Sequence, residues 1–493
     1  MMGSGDGVSP FEGKSLSKGA VKGLALCMFV SSLSWMVMRY PEQYIQTDYG
    51  GDGALILSLY IVAEVTVLPL AGKLMDMYGP RRMLSYGVPI FVVGSMACPL
   101  AGDMSSIILL RAVQGVGAGI VFAICLSSVG ILAPRSQRVR PHKSMTAAFS
   151  FGSLYGSALG YWLNGVFGWE AIFIVSAVLM VVGGYVAYKN LPDGTSGVIP
   201  DMFGSILVTL LVLDLMLFSQ LVNGYFPLVG TETLAMLLSA VVLVCLLAVR
   251  IRGSGDPVIP RIRLMHGGPF LCMFLVGFCG LGMVQFMMMF MLLGMGTDIY
   301  IASAMYLFMT IGGSVTSKFC LKRLYSTGLK PFLFMGPLIL AVGFLLASRM
   351  MVFGLPAIAL CLFVVGMGIG CMVTEILLSV QGTTPRSKMG SSTSLTMSTR
   401  FVGILLGGVT YKAIVVNRLE SEAVRVLGEG GATVDLGWIV EHYDLFYDTL
   451  TQLFESSVQY CCGIAAVMSL VILVAAYFFT DRSDVDAPEF VDE

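Results

Sequence analysis

The sequence predicts an all-α polytopic membrane protein with about fourteen transmembrane helices. Of its 493 residues, 56% are hydrophobic and 12% are charged, and the mean hydropathy is +0.86. Soluble globular proteins carry about 25% charged residues, so this chain has too few charges to cover the surface of soluble domains. Its apolar residues are grouped in runs of about 20, which is the length of a helix that crosses a bilayer.

The apolar runs follow one another along most of the chain. They cover residues 19–38, 54–75, 84–102, 104–133, 144–167, 170–188, 203–222, 232–250, 269–293, 300–322, 331–348, 353–381, 389–416 and 458–479. No small-residue cleavage site follows the first run, so we interpret it as a retained span and not as a signal peptide.

The loop charges predict the orientation of these spans. With the N-terminus inside, the inner segments carry 22 Lys and Arg residues and the outer segments carry 5. Because Lys and Arg concentrate in cytoplasmic loops, both termini are expected in the cytoplasm. The acidic loop 417–457 is then expected outside.

Composition also argues against several classes of partner and cofactor. A net charge of −1 disfavours nucleic acid, which needs a concentrated basic surface. The 11 cysteines lie in or near apolar runs without a CxxC spacing, and the 3 histidines are far apart, so neither a disulfide framework nor a metal site is predicted. Gly13-Lys14-Ser15 lacks the first glycine and the preceding strand of a phosphate-binding loop, so ATP is not expected either.

The loop between the second and third runs contains the most specific motif. Its landmark residues are Gly72, Asp76, Gly79, Arg81 and Arg82. This loop resembles the G-x-L-a-D-x-x-G-R-[RK] loop of the major facilitator superfamily. Glycines permit a tight turn, and an aspartate can meet a helix N-terminus or a basic side chain and so close an inner gate.

Three further motifs extend the resemblance to about residues 19–480. They are Arg111-x-x-Gln114-Gly115-x-Gly117 in the fourth run, Gly152-x-x-x-Gly156-x-x-x-Gly160 in the fifth, and Arg400-x-x-Gly403-x-x-x-Gly407 in the thirteenth. Small residues at every fourth position allow two helices to approach closely. The order of these motifs and the span count are similar to the fourteen-span drug:proton antiporter branch of the superfamily.

The chain departs from that branch at several motif positions. Ser157 and Tyr161 replace a proline and a glycine of the antiporter motif, and Met77 replaces a basic residue after Asp76. Ser32 stands where an acidic residue is expected in the first run, and Glu170 where an arginine usually follows Trp169. The resemblance to the superfamily remains despite these changes, but they make the drug-export function of that branch a weaker expectation for this chain.

The resemblance implies two six-helix bundles that rock about a midplane site. The predicted parts are a cytoplasmic tail (1–18), an N-terminal bundle (19–190), two inserted spans (200–250), a cytoplasmic linker (251–268), a C-terminal bundle with its outer loop (269–480), and an acidic cytoplasmic tail (481–493).

Charged residues inside apolar runs are costly to insert and are therefore functional candidates. Glu64, Arg111 and Glu375 are the candidates for proton coupling, and Gln114 and Arg400 are candidates for the substrate cavity. Glu64 lies twelve residues before Asp76, or about 18 Å along a helix, which places it near the bilayer centre. Asp214 lies in an inserted span, off the expected pathway.

These features predict a secondary active transporter of the plasma membrane that exports amphipathic or cationic small molecules in exchange for protons. Two alternatives remain open: a proton-coupled carrier of a specific metabolite, and a transporter-like receptor or assembly partner without transport. Enzyme chemistry and resident cofactors are not expected, and the sequence does not predict the oligomeric state.

Overall fold

The computed structural model describes residues 15–39, 41–134, 137–194, 201–221, 230–253, 268–327, 330–427 and 447–480. Most of the predicted tails, most of the linker 251–268 and the middle of the loop 417–457 lie outside the described residues. The described part is almost entirely helical and contains no strand.

The helices that precede residue 195 form one packed group. They are α1 (Lys18–Met36), α2 (Pro41–Tyr49), α3 (Ala54–Tyr78), α4 (Pro80–Ala97), α5 (Met104–Leu132), α6 (Val139–Phe167) and α7 (Glu170–Asn190). Helix α1 packs against α6 and α7, whereas α5 packs against α3 and α4. The nine-residue helix α2 was not predicted, because it is too short and too polar to resemble a span.

The helices after residue 267 form a second group of the same kind. They are α10 (Gly268–Leu275), α11 (Gly282–Met289), α12 (Ile299–Thr327), α13 (Lys330–Met350), α14 (Leu355–Thr383), α15 (Met389–Leu427) and α16 (Tyr447–Thr480). Helix α14 packs against α12 and α13, and α15 packs against α10 and α16. Helices α10 and α11 form one continuous span, because the π-helical segment Val276–Leu281 joins them.

Two helices lie between these groups in sequence, α8 (Met202–Leu221) and α9 (Thr231–Gly253). Helix α8 packs against α3, α9 and α15. Only 6% of the most apolar window of α9 is buried, which is expected of a helix that lipid surrounds. The Ser239 hydroxyl donates to Asp214 over 2.6 Å, so this intramembrane carboxylate links α9 to α8.

Twelve helices of the described part are long and apolar enough to cross a membrane. The other two predicted spans coincide with α6 and α12, which have 29 residues each and are long enough to span a bilayer but are not among the twelve. Length and composition therefore give twelve candidate spans among the described residues, and the count of fourteen stays a prediction.

The last two predicted spans, 389–416 and 458–479, lie within longer helices whose candidate membrane-crossing stretches are Arg386–Arg418 and Gln452–Tyr477. Helix α15 continues to Leu427 and α16 already begins at Tyr447, so the loop predicted at 417–457 is helical at both ends. Hydropathy does not detect these helical turns, because their residues are polar.

Capping explains where several helices begin. The Asp103 carboxylate accepts hydrogen bonds from the main-chain N–H of Ser106 over 2.8 Å and from the Ser106 hydroxyl over 2.9 Å, and so caps α5. These hydrogen bonds hold the pKa of this exposed carboxyl below its usual range. Gly79 has φ +81°, a conformation that favours glycine, and it turns the chain from α3 into α4.

The two groups share one arrangement of close glycine contacts. Gly115 and Gly119 of α5 bring this helix against the main-chain oxygens of Tyr60 and Glu64 in α3. Gly366 and Gly370 of α14 do the same against Met309 and Gly313 in α12. This correspondence makes α5 the structural counterpart of α14, and α3 that of α12.

Candidate functional site

Glu64 lies in the middle of α3 and is 2% exposed. The indole Nε1 of Trp35, in α1, donates a hydrogen bond to its Oε2. One turn earlier on α3, the Tyr60 hydroxyl donates to the main-chain oxygen of Ser31 over 3.2 Å. Glu64 is thus a carboxyl group buried between the first two spans, with an aromatic N–H as its hydrogen-bond donor.

An aromatic cluster surrounds the indole that binds Glu64. It consists of Trp35, Phe122, Phe149 and Phe401, which lie on α1, α5, α6 and α15. The Trp35 ring lies 6.0 Å from Phe149 and 5.4 Å from Phe401, in edge-on geometry. Phe122 contacts the same two rings at 5.9 Å. Because Phe401 belongs to the second group of helices, this cluster joins the two groups beside Glu64.

Arg111 forms a network with main-chain oxygens. Its guanidinium donates to Ser34 O over 3.1 Å, to Ile56 O over 3.3 Å and to Gln114 Oε1 over 2.5 Å. Its Cζ lies 4.2 Å from the centre of the Tyr60 ring. Arg111 therefore connects α1, α3 and α5, and no carboxylate of the described residues forms an ion pair with it.

Gln114 completes this network within the first group of helices. It is 1% exposed, and its Nε2 donates to Ser95 Oγ over 2.9 Å. The Ser95 hydroxyl in turn donates to Phe173 O over 2.8 Å. These hydrogen bonds hold the Gln114 side chain within the first group of helices, and its place in a substrate cavity stays a prediction.

Asp76 lies at the end of α3 and contacts the second group of helices. Its carboxylate accepts from the main-chain N–H groups of Gly390 over 2.6 Å and Ser391 over 2.9 Å, and from the Ser391 hydroxyl over 2.6 Å. These N–H groups belong to the first turn of α15, which has no partners for them within the helix. Asp76 therefore caps a helix of the other group.

Gly72 lets α3 approach α15 at this point. A Cβ at Gly72 would meet Gly390 O and the Ser394 side chain, both at 2.5 Å. The close approach places the Asp76 carboxylate within hydrogen-bond distance of the α15 N-terminus. This end of the molecule, which we call the Asp76 end, is closed between the two groups.

The two glycine stripes predicted from the motifs lie at equivalent helix contacts. Gly152 and Gly156 pack against α1, where a Cβ at Gly156 would lie 2.6 Å from the Met36 Cβ, and Gly160 packs against Val37, which directly follows α1. Gly403 and Gly407 face the backbone at Phe274 and Phe278. Each stripe packs the fifth span of its group against the first.

Comparisons with known proteins agree with this architecture. The sequence profile of the Major Facilitator Superfamily matches residues 24–408. The chain belongs to the Major Facilitator Superfamily.

Relatives within the Major Facilitator Superfamily include proteins named for drug transport. The chain is 24% identical over 406 residues to the multidrug transporter protein MdtP of Bacillus subtilis, covering 80% of this chain and 75% of MdtP. It is 28% identical over 265 residues to the putative multidrug resistance protein MdtD of Escherichia coli O157:H7, covering 52% of this chain and 55% of MdtD. A solved structure of the superfamily's proton:xylose symporter XylE superposes with a TM-score of 0.62 at 13% identity, over 96% of this chain and 98% of that chain.

Membership in the superfamily makes this chain a multi-pass membrane transporter. Its gate-loop arginines lie apart from the contact between the two groups of helices. Arg81 forms an ion pair with Asp193 over 3.0 Å, at the end of α7, and its Cζ lies 4.5 Å from the Tyr188 ring. Arg82 is exposed. In this superfamily member, Asp76 alone of the predicted gate residues makes hydrogen bonds to α15.

Sequence reasoning missed a second connection at the Asp76 end of this superfamily member. Arg138 donates to Gln381 O over 2.6 Å and to Gly130 O over 2.8 Å. His142 Nε2 and Gln381 Oε1 are 2.7 Å apart, and Gln381 Nε2 donates to Thr393 Oγ1 over 3.1 Å. Gln381 is uncharged and lies in an apolar run, so the sequence carries little signal for this role.

Glu375 lies far from Glu64 in sequence and has different surroundings. It is fully buried in α14, and the described residues supply neither carboxylate oxygen with a hydrogen-bond partner. One turn earlier, Cys371 Sγ lies 3.2 Å from Cys320 Sγ of α12. Among the described residues, no group of three His, Cys, Asp or Glu side chains is arranged to hold a metal ion.

Arg400 lies beside the aromatic cluster but makes no hydrogen bond or ion pair that the described residues supply. Its Cζ lies 4.9 Å from the ring of the adjacent Phe401, and its Nε is buried without a hydrogen-bond partner. The structure thus brings Glu64 and the neighbour of Arg400 together through Trp35. It holds Arg111 and Gln114 together in the network beside Tyr60 and leaves Glu375 in separate surroundings.

Proposed function

We propose that this transporter exports amphipathic small molecules across the plasma membrane in exchange for protons, by alternating access between its two groups of helices. Glu64 carries the proposal. It is a buried carboxyl near the middle of the bundle, and its hydrogen-bond donor, Trp35, packs directly on Phe401 of the second group. A proton on Glu64 and a positively charged group of a substrate compete for the same carboxylate.

The position of Glu64 also supports coupling between proton and conformation. Trp35 contacts both Glu64 and Phe401, so a change of charge at Glu64 acts on a ring that touches the second group. When the two groups rock against each other, the site at this contact opens to one side of the membrane and closes to the other. Arg111 supports the same site by holding Tyr60, one turn from Glu64, through its guanidinium.

The hydrogen bonds of Asp76 support the proposed gate. They join the end of α3 to the first turn of α15, and the contacts of Arg138 and His142 with Gln381 lie at the same end. If the basic loops face the cytoplasm, this end is the cytoplasmic one. The conformation is then closed toward the cytoplasm, and both termini lie in the cytoplasm.

Export of drug-like compounds is supported by the names of the relatives and by the aromatic cluster. Aromatic rings give broad apolar contact to amphipathic ligands without fixing one shape. Glu375 is a second proton candidate, because it is a buried acid without a hydrogen-bond partner among the described residues.

The proposal is tested by flux into everted membrane vesicles that contain the protein. With an acid-inside gradient, an amphipathic dye is expected to accumulate, and accumulation should stop when a protonophore collapses the gradient. If the substrate accumulates only when the vesicle interior is alkaline, the protein is a proton symporter, which favours the metabolite-carrier alternative. Absence of flux for dyes and metabolites, with specific binding retained, would favour a receptor.

A further inference from the structure

Three arginines inside the helix bundle differ in the hydrogen bonds of their guanidinium groups. Arg111 donates to two main-chain oxygens and to Gln114, and Arg138 donates to three main-chain oxygens. The described residues supply Arg400 with no hydrogen-bond acceptor and no carboxylate within ion-pair distance. Because a guanidinium has five N–H donors and keeps its charge, Arg400 is the arginine of this group that can still bind a ligand.

Arg400 and Glu64 lie at similar distances from the Asp76 end. It follows Ser391 by nine residues, or about 14 Å of helix, whereas Glu64 precedes Asp76 by twelve residues, or about 18 Å. Ser391 and Asp76 are hydrogen-bonded to each other. The two side chains are therefore at similar heights on helices that face one another, but no ion pair joins them.

A chain of aromatic contacts links these two charges, since the Arg400 guanidinium lies 4.9 Å from the Phe401 ring. Phe401, the neighbour of Arg400, packs on Trp35, whose indole N–H binds Glu64. Arg400 is partly exposed, although its Nε is buried. One acid, one base without a counter-ion among the described residues and the aromatic rings that link them thus lie at the contact of the two groups of helices.

We infer that the substrates are amphipathic zwitterions, whose acidic group binds Arg400 and whose basic group binds Glu64, with the apolar body against Trp35, Phe122 and Phe401. This inference rests on the proposed function and names its substrate class. A carboxylate fits a guanidinium through two parallel hydrogen bonds. Binding the acidic group also compensates a positive charge that is costly to leave unpaired inside a membrane protein.

The pairing of the two charges agrees with exchange against protons. A substrate with an acidic group alone binds best when Glu64 is protonated and neutral, so it would travel together with the proton. A substrate with a basic group at Glu64 is displaced when the proton arrives. The acidic group then adds affinity at Arg400 without changing this competition.

The inference is tested by equilibrium binding of three matched compounds to the purified full-length protein. They are norfloxacin, which carries a secondary amine and a carboxylate, its ethyl ester, which keeps the amine, and its N-acetyl derivative, which keeps the acid. The wild-type protein is expected to bind norfloxacin about tenfold or more tightly than either derivative. Arg400→Gln should bind norfloxacin and its ester with equal affinity, and Arg400→Lys should retain part of the preference.

Arg418→Gln is the matched control, because Arg418 lies on the same helix and stacks 4.3 Å from the Tyr460 ring. It should keep the full preference for norfloxacin over the ester. Equal binding of norfloxacin and its ester to the wild-type protein overturns the inference and needs no variant. A preference that survives Arg400→Gln overturns it as well.

The binding measurement tests the substrate class and the flux measurement tests the proposed function, so the two claims can fail independently. Loss of gradient-driven flux with an intact preference for the zwitterion contradicts the proposed proton coupling and leaves the substrate class standing. Gradient-driven flux of the ester as fast as that of norfloxacin, with equal binding, contradicts the substrate class and leaves the proposed function standing.

Discussion

At the scale of single residues, Glu64 and Arg111 differ in what their charged groups bind. The Glu64 carboxylate accepts an indole N–H from Trp35, whereas the Arg111 guanidinium donates to Ser34 O, Ile56 O and the Gln114 side chain. Arg111 therefore mainly stabilises the packing of α1, α3 and α5. Glu64 can take part in coupling, because its carboxyl group can gain or lose a proton.

This difference predicts the effect of replacing Arg111. Arg111→Met leaves two main-chain oxygens and Gln114 without their donor inside the bundle, which we expect to destabilise the protein by about 3 kcal/mol. The measurement is thermal unfolding of the purified protein in detergent. Arg82→Met, at an exposed arginine, is the control and should leave the midpoint unchanged. Equal midpoints for both variants would show that the Arg111 network contributes little.

The sequence predicts individual site residues only as far as their charge makes them visible. Glu64 and Asp76 are found because an acid is rare in an apolar run or follows a known loop pattern. Trp35 and Gln381 are not found, because their roles depend on which helices meet across 29 and 239 residues of chain. Gln114 is found, but its surroundings place it in a packing network.

At the scale of helices, close contacts depend on glycines whose neighbours lie on another helix. Gly160 faces the main-chain oxygen of Val37, and a Cβ there would overlap that atom. At Gly165, one and a half turns later on α6, a Cβ would have no atom of the described residues within 4 Å. The same helix therefore holds one glycine that packing requires and one that it does not.

This pair of glycines gives a matched test of the α1–α6 contact. Gly160→Ala must push α1 and α6 apart and should lower the unfolding midpoint, with a loss of about 1–3 kcal/mol. Gly165→Ala should leave the midpoint unchanged or raise it slightly, because alanine favours a helix. Thermal unfolding compares the two. A Gly160→Ala variant as stable as Gly165→Ala would contradict the close packing.

The cap of α15 predicts a separate effect on turnover. In Asp76→Asn the α15 N-terminus loses a carboxylate that accepts three hydrogen bonds. The closed Asp76 end becomes less stable, so turnover should slow while equilibrium binding changes by less than about tenfold, or ~1.4 kcal/mol. Asp193→Asn, at the partner of Arg81 within one group, should change turnover less. A larger loss of affinity in Asp76→Asn would place the loop at the binding site.

Helix positions follow from hydropathy, but helix ends and irregular turns do not. The start of α5 agrees with its predicted span, since Asp103 caps it. Helix α15 runs to Leu427 because amphipathic polar turns continue it beyond the apolar run. The π-helical segment Val276–Leu281 has no signal in periodicity, since its sequence is apolar throughout.

At the scale of the whole molecule, orientation in the membrane is the prediction on which the direction of transport depends. Ser421 is exposed on the last turns of α15, at the end opposite to Asp76. A cysteine at this position should react with a membrane-impermeant thiol reagent on intact cells. A cysteine replacing Ser144, which is exposed near the Asp76 end, should react only after permeabilisation. The reverse pattern would invert the topology.

The central claim is that Glu64 couples the proton to the substrate. The most direct measurement compares wild-type protein and Glu64→Gln in proteoliposomes, with uphill accumulation under a pH gradient and downhill exchange without one. Glutamine keeps the shape of the protonated carboxyl but cannot release a proton. We expect the variant to lose uphill accumulation, to retain downhill exchange and to bind substrate independently of pH. Accumulation against the gradient by Glu64→Gln would contradict the claim and make Glu375 the next candidate.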